Sequence, residues 1–332
     1  MSWLSKYYQY KALIQNSLDT GVTTDELDAL GYTKWDSVNN ELLANGVVVS
    51  GTYTVDDYTD IPTASTNTDL NVVVRNMGVN TAYYNSIPLH SDGTAWSILG
   101  GECLFASYAT QINFISPAAT FTSATATSIN GGTDIRLTSA GAHGLTSAVA
   151  VGKKIYVSAG INWTPGPYTI KTIAVDTSGL VIDLEEPFVA SMGSPTIALA
   201  GTEFTPFSFT LPPLQSTSHI RWDVSFEFPV ASTSTKRTKI VLGSTEFANV
   251  NHNGASTLMD RFTGGVSNES STSVNRSWFT LAATSGVGTG TGSGSVAGAE
   301  DTSSAKTVSI KLTMGTANDV LAVNRWAFWL KY

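Results

Sequence analysis

The sequence predicts a mainly β protein: an antiparallel β-sandwich or jelly roll, with an inserted small β module and a short helical N-terminal arm. Three observations carry this. Period-two alternation of apolar and polar residues dominates after residue 205. β-branched runs broken by Gly and Pro turns fill the chain from Val47 onward. Charged residues make up 13% of the 332 residues while hydrophobic ones make up 42%. That charge share is about half the usual one, and Ser and Thr, at about a quarter of the chain, take its place.

Residues 1–46 read as the arm. Trp3, Tyr7, Tyr10 and Ile14 recur at helical spacing and form a candidate attachment stripe. Thr23 and Glu26 have capping-box spacing for a second short helix closed by Gly31. A third helix is expected over 33–44, with Trp35, Val38 and Leu42 as its stripe and Asn45-Gly46 as its stop. Residues 47–116 form a β segment with strands such as Asn71–Asn76 and aromatic strands around Trp96 and Tyr108. Residues 117–204 read as the inserted module, bounded by small-residue connectors and containing the runs DIRLTS, KKIYVSAG, YTIKTIAV and GLVIDLEEPF.

Residues 205–332 form the main sandwich domain. In RWDVSFEFPV, Trp222, Val224, Phe226, Phe228 and Val230 share one face. In KTVSIKLTMG, Val308, Ile310, Leu312 and Met314 point inward. The final strand sets Trp326, Phe328, Leu330 and Tyr332 on one side. Trp278, Trp326 and Trp329 are expected mostly in the core. Trp329, opposite Trp326 and Phe328, falls at the surface or in a subunit interface, and Arg325 shares its parity. Residues 285–301 form a flexible Gly/Ser/Thr loop that includes Glu300 and Asp301.

Composition excludes several functions. The net charge of −8 opposes wrapping of nucleic acid, which needs clustered cations. The basic cluster Lys236, Arg237 and Lys239 reads as a solvated strand face. A single cysteine, Cys103, allows no intrachain disulfide and reads as a buried, inert thiol suited to a reducing compartment. The N-terminus lacks the apolar core of a signal peptide, and no apolar run is long enough to span a membrane.

Chemistry-bearing motifs are lacking. The Gly-rich loop has neither the Lys-Ser/Thr of a P-loop nor G-x-G-x-x-G spacing. His90, His143, His219 and His252 are scattered, without metal-ligand spacing, and His143 reads as a turn residue. An acidic loop with Asp56, Asp57 and Asp60 leaves a surface calcium site open, with an ordinary acidic loop the preferred reading. Glu185 and Glu186 are adjacent in a strand-like run and point to opposite faces, which is poor geometry for a carboxylate dyad. The expectation is a non-enzymatic protein with no cofactor and no metal.

The stretches FTLPPLQSTSHIRWDVSFEF, STKRTKIVLGSTEF and SSAKTVSIKLTMGTANDVLAVNRWAFWLKY resemble the jelly-roll domains of tailed-bacteriophage fibre, head-fibre and decoration proteins. AGAHGLTSAVAVGKKIYVSAGINWTPGPYTIKTIAV resembles a small β module inserted in phage fibre and tail proteins. The resemblance implies a virion structural protein, assembled in the host cytoplasm as a homotrimer and docked by its N-terminal segment. A capsid decoration or short head-fibre role is expected, with the major capsid protein as partner. The alternative is a tail fibre, associated with tail proteins and contacting a host surface glycan or protein. Trp329 and Arg325 are then trimer or ligand interface candidates.

Overall fold

The computed structural model describes residues 34–36, 41–44, 47–48, 53–56, 58–67, 70–75, 86–98, 102–121, 125–139, 141–174, 181–214, 216–229, 232–254, 258–269, 271–284 and 297–331. Two compact units emerge, residues 1–75 with 88–99, and residues 76–87 with 100–332.

In the first unit, β1 (Lys34–Asp36), β2 (Glu41–Ala44) and β3 (Val47–Val48) form an antiparallel three-stranded sheet. The helix expected over 33–44 is therefore corrected to strands. Trp35 pairs with Leu42, so two residues expected on one helical stripe are cross-strand neighbours instead. Ala44 pairs with Val47 and Leu43 with Val48. The expected helix stop at Asn45-Gly46 lies outside the described residues. A second sheet has the order β4 (Tyr53–Val55), β5 (Asn71–Val74), β6 (Ile87–Ser91) and β7 (Trp96–Ile98). Val72 and Val74 are fully buried, and the Trp96 indole N–H donates to the Pro62 carbonyl at 2.8 Å.

The second unit contains β8 (Glu102–Tyr108) and β9 (Ile112–Ile115), followed by the module strands β10 (Thr125–Ile129) and β11 (Asp134–Thr138). One helical turn, α1 (Ser147–Ala150), precedes β12 (Lys154–Ala159), β13 (Gly166–Ile173), β14 (Val181–Leu184) and β15 (Thr196–Ile197). The chain continues through β16 (Glu203–Leu211), β17 (His219–Phe228), β18 (Ser232–Leu242), β19 (Thr245–Gly254) and β20 (Leu258–Asn268). It ends with β21 (Asn275–Thr284), β22 (Ala297–Gly298), β23 (Lys306–Thr313) and β24 (Val320–Lys331).

One sheet runs β10-β11-β14-β13-β12-β9-β24-β17-β20-β21-β22, with β15 on β12 and β8 on β24. The other runs β16-β23-β18-β19. The apolar parities read from β17, β23 and β24 all face between these sheets. Trp222, Val224, Phe226, Phe228, Val308, Ile310, Leu312, Met314, Trp326, Phe328 and Leu330 are buried. Aromatic rings dominate the interior. Trp326 stacks on Phe209 at 5.3 Å, and Phe209 meets Phe328 edge-on at 4.9 Å. Such pairs each add about 0.5–1.5 kcal/mol beyond the area they bury.

The module strands enclose their own core, with Ile135, Leu137, Ile155, Val157, Ile170, Ile182 and Leu184 fully buried. Ile115 and Val320, from β9 and β24, belong to the same core. On the opposite face of its sheet, Arg136 grips Asp183 through two nitrogens at 2.8 and 2.9 Å, and Lys171 holds Asp134 at 2.7 Å.

Two polar readings are corrected. Lys236 does not lie on a solvated face: it shares inward parity with Thr238, Ile240 and Leu242 and is 2% exposed. Its Nζ lies 3.5 Å from Asp319, also 2% exposed, and 5.9 Å from the Phe228 ring centre. Glu300 and Asp301 are not free loop residues. Glu300 accepts from the Ser244 N–H at 3.0 Å and pairs with Lys306 at 3.1 Å, and Asp301 accepts from the Ser303 N–H at 3.0 Å.

Candidate interaction surface

The outer face of the larger sheet collects the polar parities of five neighbouring strands. Register fixes one row across them. Leu104 on β8 pairs with Trp329 on β24, and Trp329 pairs with Arg221 on β17. Arg221 pairs with Gly265 on β20, and Gly265 pairs with Trp278 on β21. At ordinary strand spacing this row is about 19 Å wide.

Each member has a distinct environment. The Arg221 guanidinium covers Trp329 at 4.6 Å from the ring centre and reaches Glu102 at 3.3 Å. A cation–π contact of this kind contributes about 0.5–1 kcal/mol at an exposed site. Trp278 is 48% exposed and Leu104 is 36% exposed. A Cβ at Gly265 would lie 2.7 Å from the Ile220 carbonyl oxygen and 3.2 Å from Trp278 Nε1. Glycine therefore lets the indole lie against the sheet with its other side open.

Further along, Ala327 pairs with Asp223 and Arg325 with Ser225. Asp223 accepts from Arg261 Nε at 2.9 Å, while the Arg325 guanidinium stands 4.0 Å away. In the row on the other side, His219 pairs with Lys331 and with Ser267, and Ser267 pairs with Arg276. Partial burial pushes the His219 imidazole below its ordinary value; the Lys331 charge adds to this, and Glu102 opposes it.

Trp329 and Arg325 are thus brought onto one face, as their shared parity in β24 requires. Trp3, Tyr7, Tyr10 and Ile14 lie outside the described residues. Trp278 is corrected from core to surface. Its neighbours in β21, Asn275 and Ser277, take inward positions and are 1% and 0% exposed. Ser277 Oγ donates to the Phe247 carbonyl at 3.0 Å, and Asn275 Nδ2 donates to Asn268 at 2.7 Å. Alternation along the strand therefore puts the tryptophan outside. Arg221 and Gly265 were missed, although the alternation in RWDVSFEF already set Arg221 on the outer side.

Elsewhere the chemistry is structural. Among the described residues, no three or more His, Cys, Asp or Glu side chains stand together as a metal group. Asp56 pairs loosely with Arg75 at 3.7 Å, and Asp57 lies outside the described residues. His143 is fully buried in its turn, where Nδ1 accepts from the Leu145 N–H at 2.9 Å. Cys103 is half-buried rather than buried, and its thiol is pushed up to about 11, by desolvation first and the Glu102 charge second. Among the described residues, no helix is long and apolar enough to cross a membrane. No protein-family model matches the chain, and no curated protein matches it in sequence.

Proposed function

We propose that this chain is a non-enzymatic structural protein of a tailed-bacteriophage particle, built on a jelly roll and displayed as a homotrimer. Strand order is the observation that carries the reading. Taking β8, β16, β17, β18, β19, β20, β23 and β24 as one to eight along the chain, one sheet reads one-eight-three-six. The other reads two-seven-four-five. Apart from four and five, which neighbour each other, consecutive strands alternate between two antiparallel sheets, and this order supports the jelly-roll reading, an architecture of capsid and lectin-type domains. The module β10–β15 enters between strands one and two, and β21–β22 between six and seven.

A low-charge, hydroxyl-rich sandwich suits a rigid exterior part repeated over a lattice. The preferred role is a capsid decoration or short head-fibre protein that docks on the major capsid protein through residues 1–46. The open tryptophan on the outer sheet face favours a second reading, a tail fibre that contacts host surface glycan.

Antibody-gold labelling of intact particles tests both readings. Label spread over the head supports decoration, and label at the tail tip supports the fibre. Particles that carry no label overturn the virion reading. Sedimentation of the full chain as a monomer at micromolar concentration overturns the trimer.

A further inference from the structure

The outer sheet face differs in charge from the chain that carries it. Its outward positions on β8, β17, β20, β21 and β24 include five cations: Arg221, Arg261, Arg276, Arg325 and Lys331. They include three anions, Glu102, Asp223 and Glu227, and Glu269, one residue past β20, pairs with Arg276 at 2.8 Å. The chain as a whole carries 18 Lys and Arg against 26 Asp and Glu. A net cationic face on a net anionic protein needs a reason, because like composition would have left it acidic. Asp223 is shared between Arg261 and Arg325, so one guanidinium is held only at 4.0 Å and keeps donors for another acceptor. Arg325 is also among the more exposed, with 59% of its side chain accessible.

The aromatic part is shaped for a flat apolar partner. Trp278 lies over Gly265 with its outer side open, and the Arg221 plane, stacked on Trp329, continues the row. A sugar ring has apolar C–H faces and equatorial polar edges. An indole stacks on the first, and guanidinium forks grip acidic substituents bidentately. We infer that the row Leu104–Trp329–Arg221–Gly265–Trp278, flanked by Arg325, is a binding platform for an anionic polysaccharide.

The inference deepens the glycan-contacting reading but does not depend on the particle location, which the gold labelling tests separately. The experiment is calorimetric titration of the full chain with polygalacturonate and polysialic acid, which bear carboxylates. A poly(glycerol phosphate) arm supplies phosphate as the acid, and dextran is the neutral control. Binding of at least one acidic polymer is expected, weakening as salt rises from about 0.05 to 0.5 M. Trp278→Ala should weaken it roughly tenfold or more, in a chain that circular dichroism shows to be folded. Arg325→Gln should weaken it and flatten the salt dependence. Carboxylate-only binding and phosphate-only binding both support the platform and name its acid. No binding to any acidic polymer, equal binding of dextran, or full binding by Trp278→Ala overturns it. Concentration-dependent self-association that Trp278→Ala abolishes also overturns it, since the face then belongs to a second copy of this chain.

Discussion

Replacing Lys236 with Met tests whether the sandwich interior holds a true buried ion pair. The two side chains are each 2% exposed, with Nζ and Oδ1 3.5 Å apart. The other carboxylate oxygen of Asp319 accepts from the Thr316 N–H at 2.9 Å and from the Ser234 hydroxyl. Met keeps the length and volume of the lysine stem but removes the ammonium. The Asp319 carboxylate then keeps its neutral donors and loses its counter-charge out of reach of water. Breaking a buried pair from one side costs about 3–5 kcal/mol. For a unit of this size, with each kcal/mol worth about 2–4 °C, that is a fall of roughly 6–20 °C in the unfolding midpoint. Removing both charges, Lys236→Met with Asp319→Asn, should recover most of the loss, because the desolvation of both ions disappears together. Urea and thermal unfolding followed by tryptophan fluorescence read all three variants. A Lys236→Met protein within about 0.5 kcal/mol of the parent would refute the argument. A double variant as damaged as the single would show that the loss is one of packing, not of charge.

Three further outcomes follow from local geometry. Gly243 has a φ of 59°, and an added Cβ would collide with the Glu300 carboxylate. Gly243→Ala should therefore cost more than about 1 kcal/mol by denaturant unfolding, and no change would mean that the Glu300 clasp does not form. The Cys103 thiol is pushed up to about 11, so native protein should alkylate far more slowly near neutral pH than unfolded protein, with the rate climbing toward alkaline pH. Equal rates would contradict the burial. The Arg136 hydrogen bond holds the Asp183 carboxyl below its ordinary value, with the Thr172 hydroxyl helping and burial opposing. A depressed folded value stabilises the protein fully above the ordinary carboxylate value of about 4, and this is lost as pH falls through the lower folded value. The thermal midpoint should fall with pH in that acid window, and Arg136→Gln should shrink that fall; an unaltered pH profile in that variant rejects the assignment.

Where a strand has one apolar parity, its burial was legible from the residues alone. β17, β23 and β24 each alternate large apolar with polar residues, and every described residue of the apolar set is buried. Legibility failed where another force set the parity. In β21 Asn275 and Ser277 point inward, held by side-chain hydrogen bonds, and Trp278, next to Ser277, points outward, against the expectation that tryptophans of the C-terminal strands belong mostly to the core. In β18 the inward Lys236 is stabilised by an aspartate 83 positions away in sequence, reckoned from 319 and 236, a partner no local window contains. Over 33–44, an apolar spacing of three and four fits a helix as well as two short paired strands, and only the pairing decides between them. The exposed row could not be read as a unit, because its members come from five strands scattered between residues 104 and 329. Their juxtaposition is a property of strand order.

The core and the surface row are coupled through β24. Trp326, Phe328 and Leu330 point inward and are 1%, 0% and 0% exposed, while Arg325, Ala327, Trp329 and Lys331 take the alternate positions. Slipping this strand by one residue would bury Arg325 and Lys331 and expose two large rings. The stacking of Trp326 on Phe209 and the edge contact of Phe328 therefore fix the register to which Trp329 and Arg325 belong. The same holds in β17, where Trp222 and Val224 anchor inward and Arg221 and Asp223 are carried outward. A platform set on central, core-anchored strands keeps its geometry without a ligand, so little ordering entropy opposes binding. Rigid donors and a fixed indole, set by core packing on the far side of each strand, supply the specificity of the face.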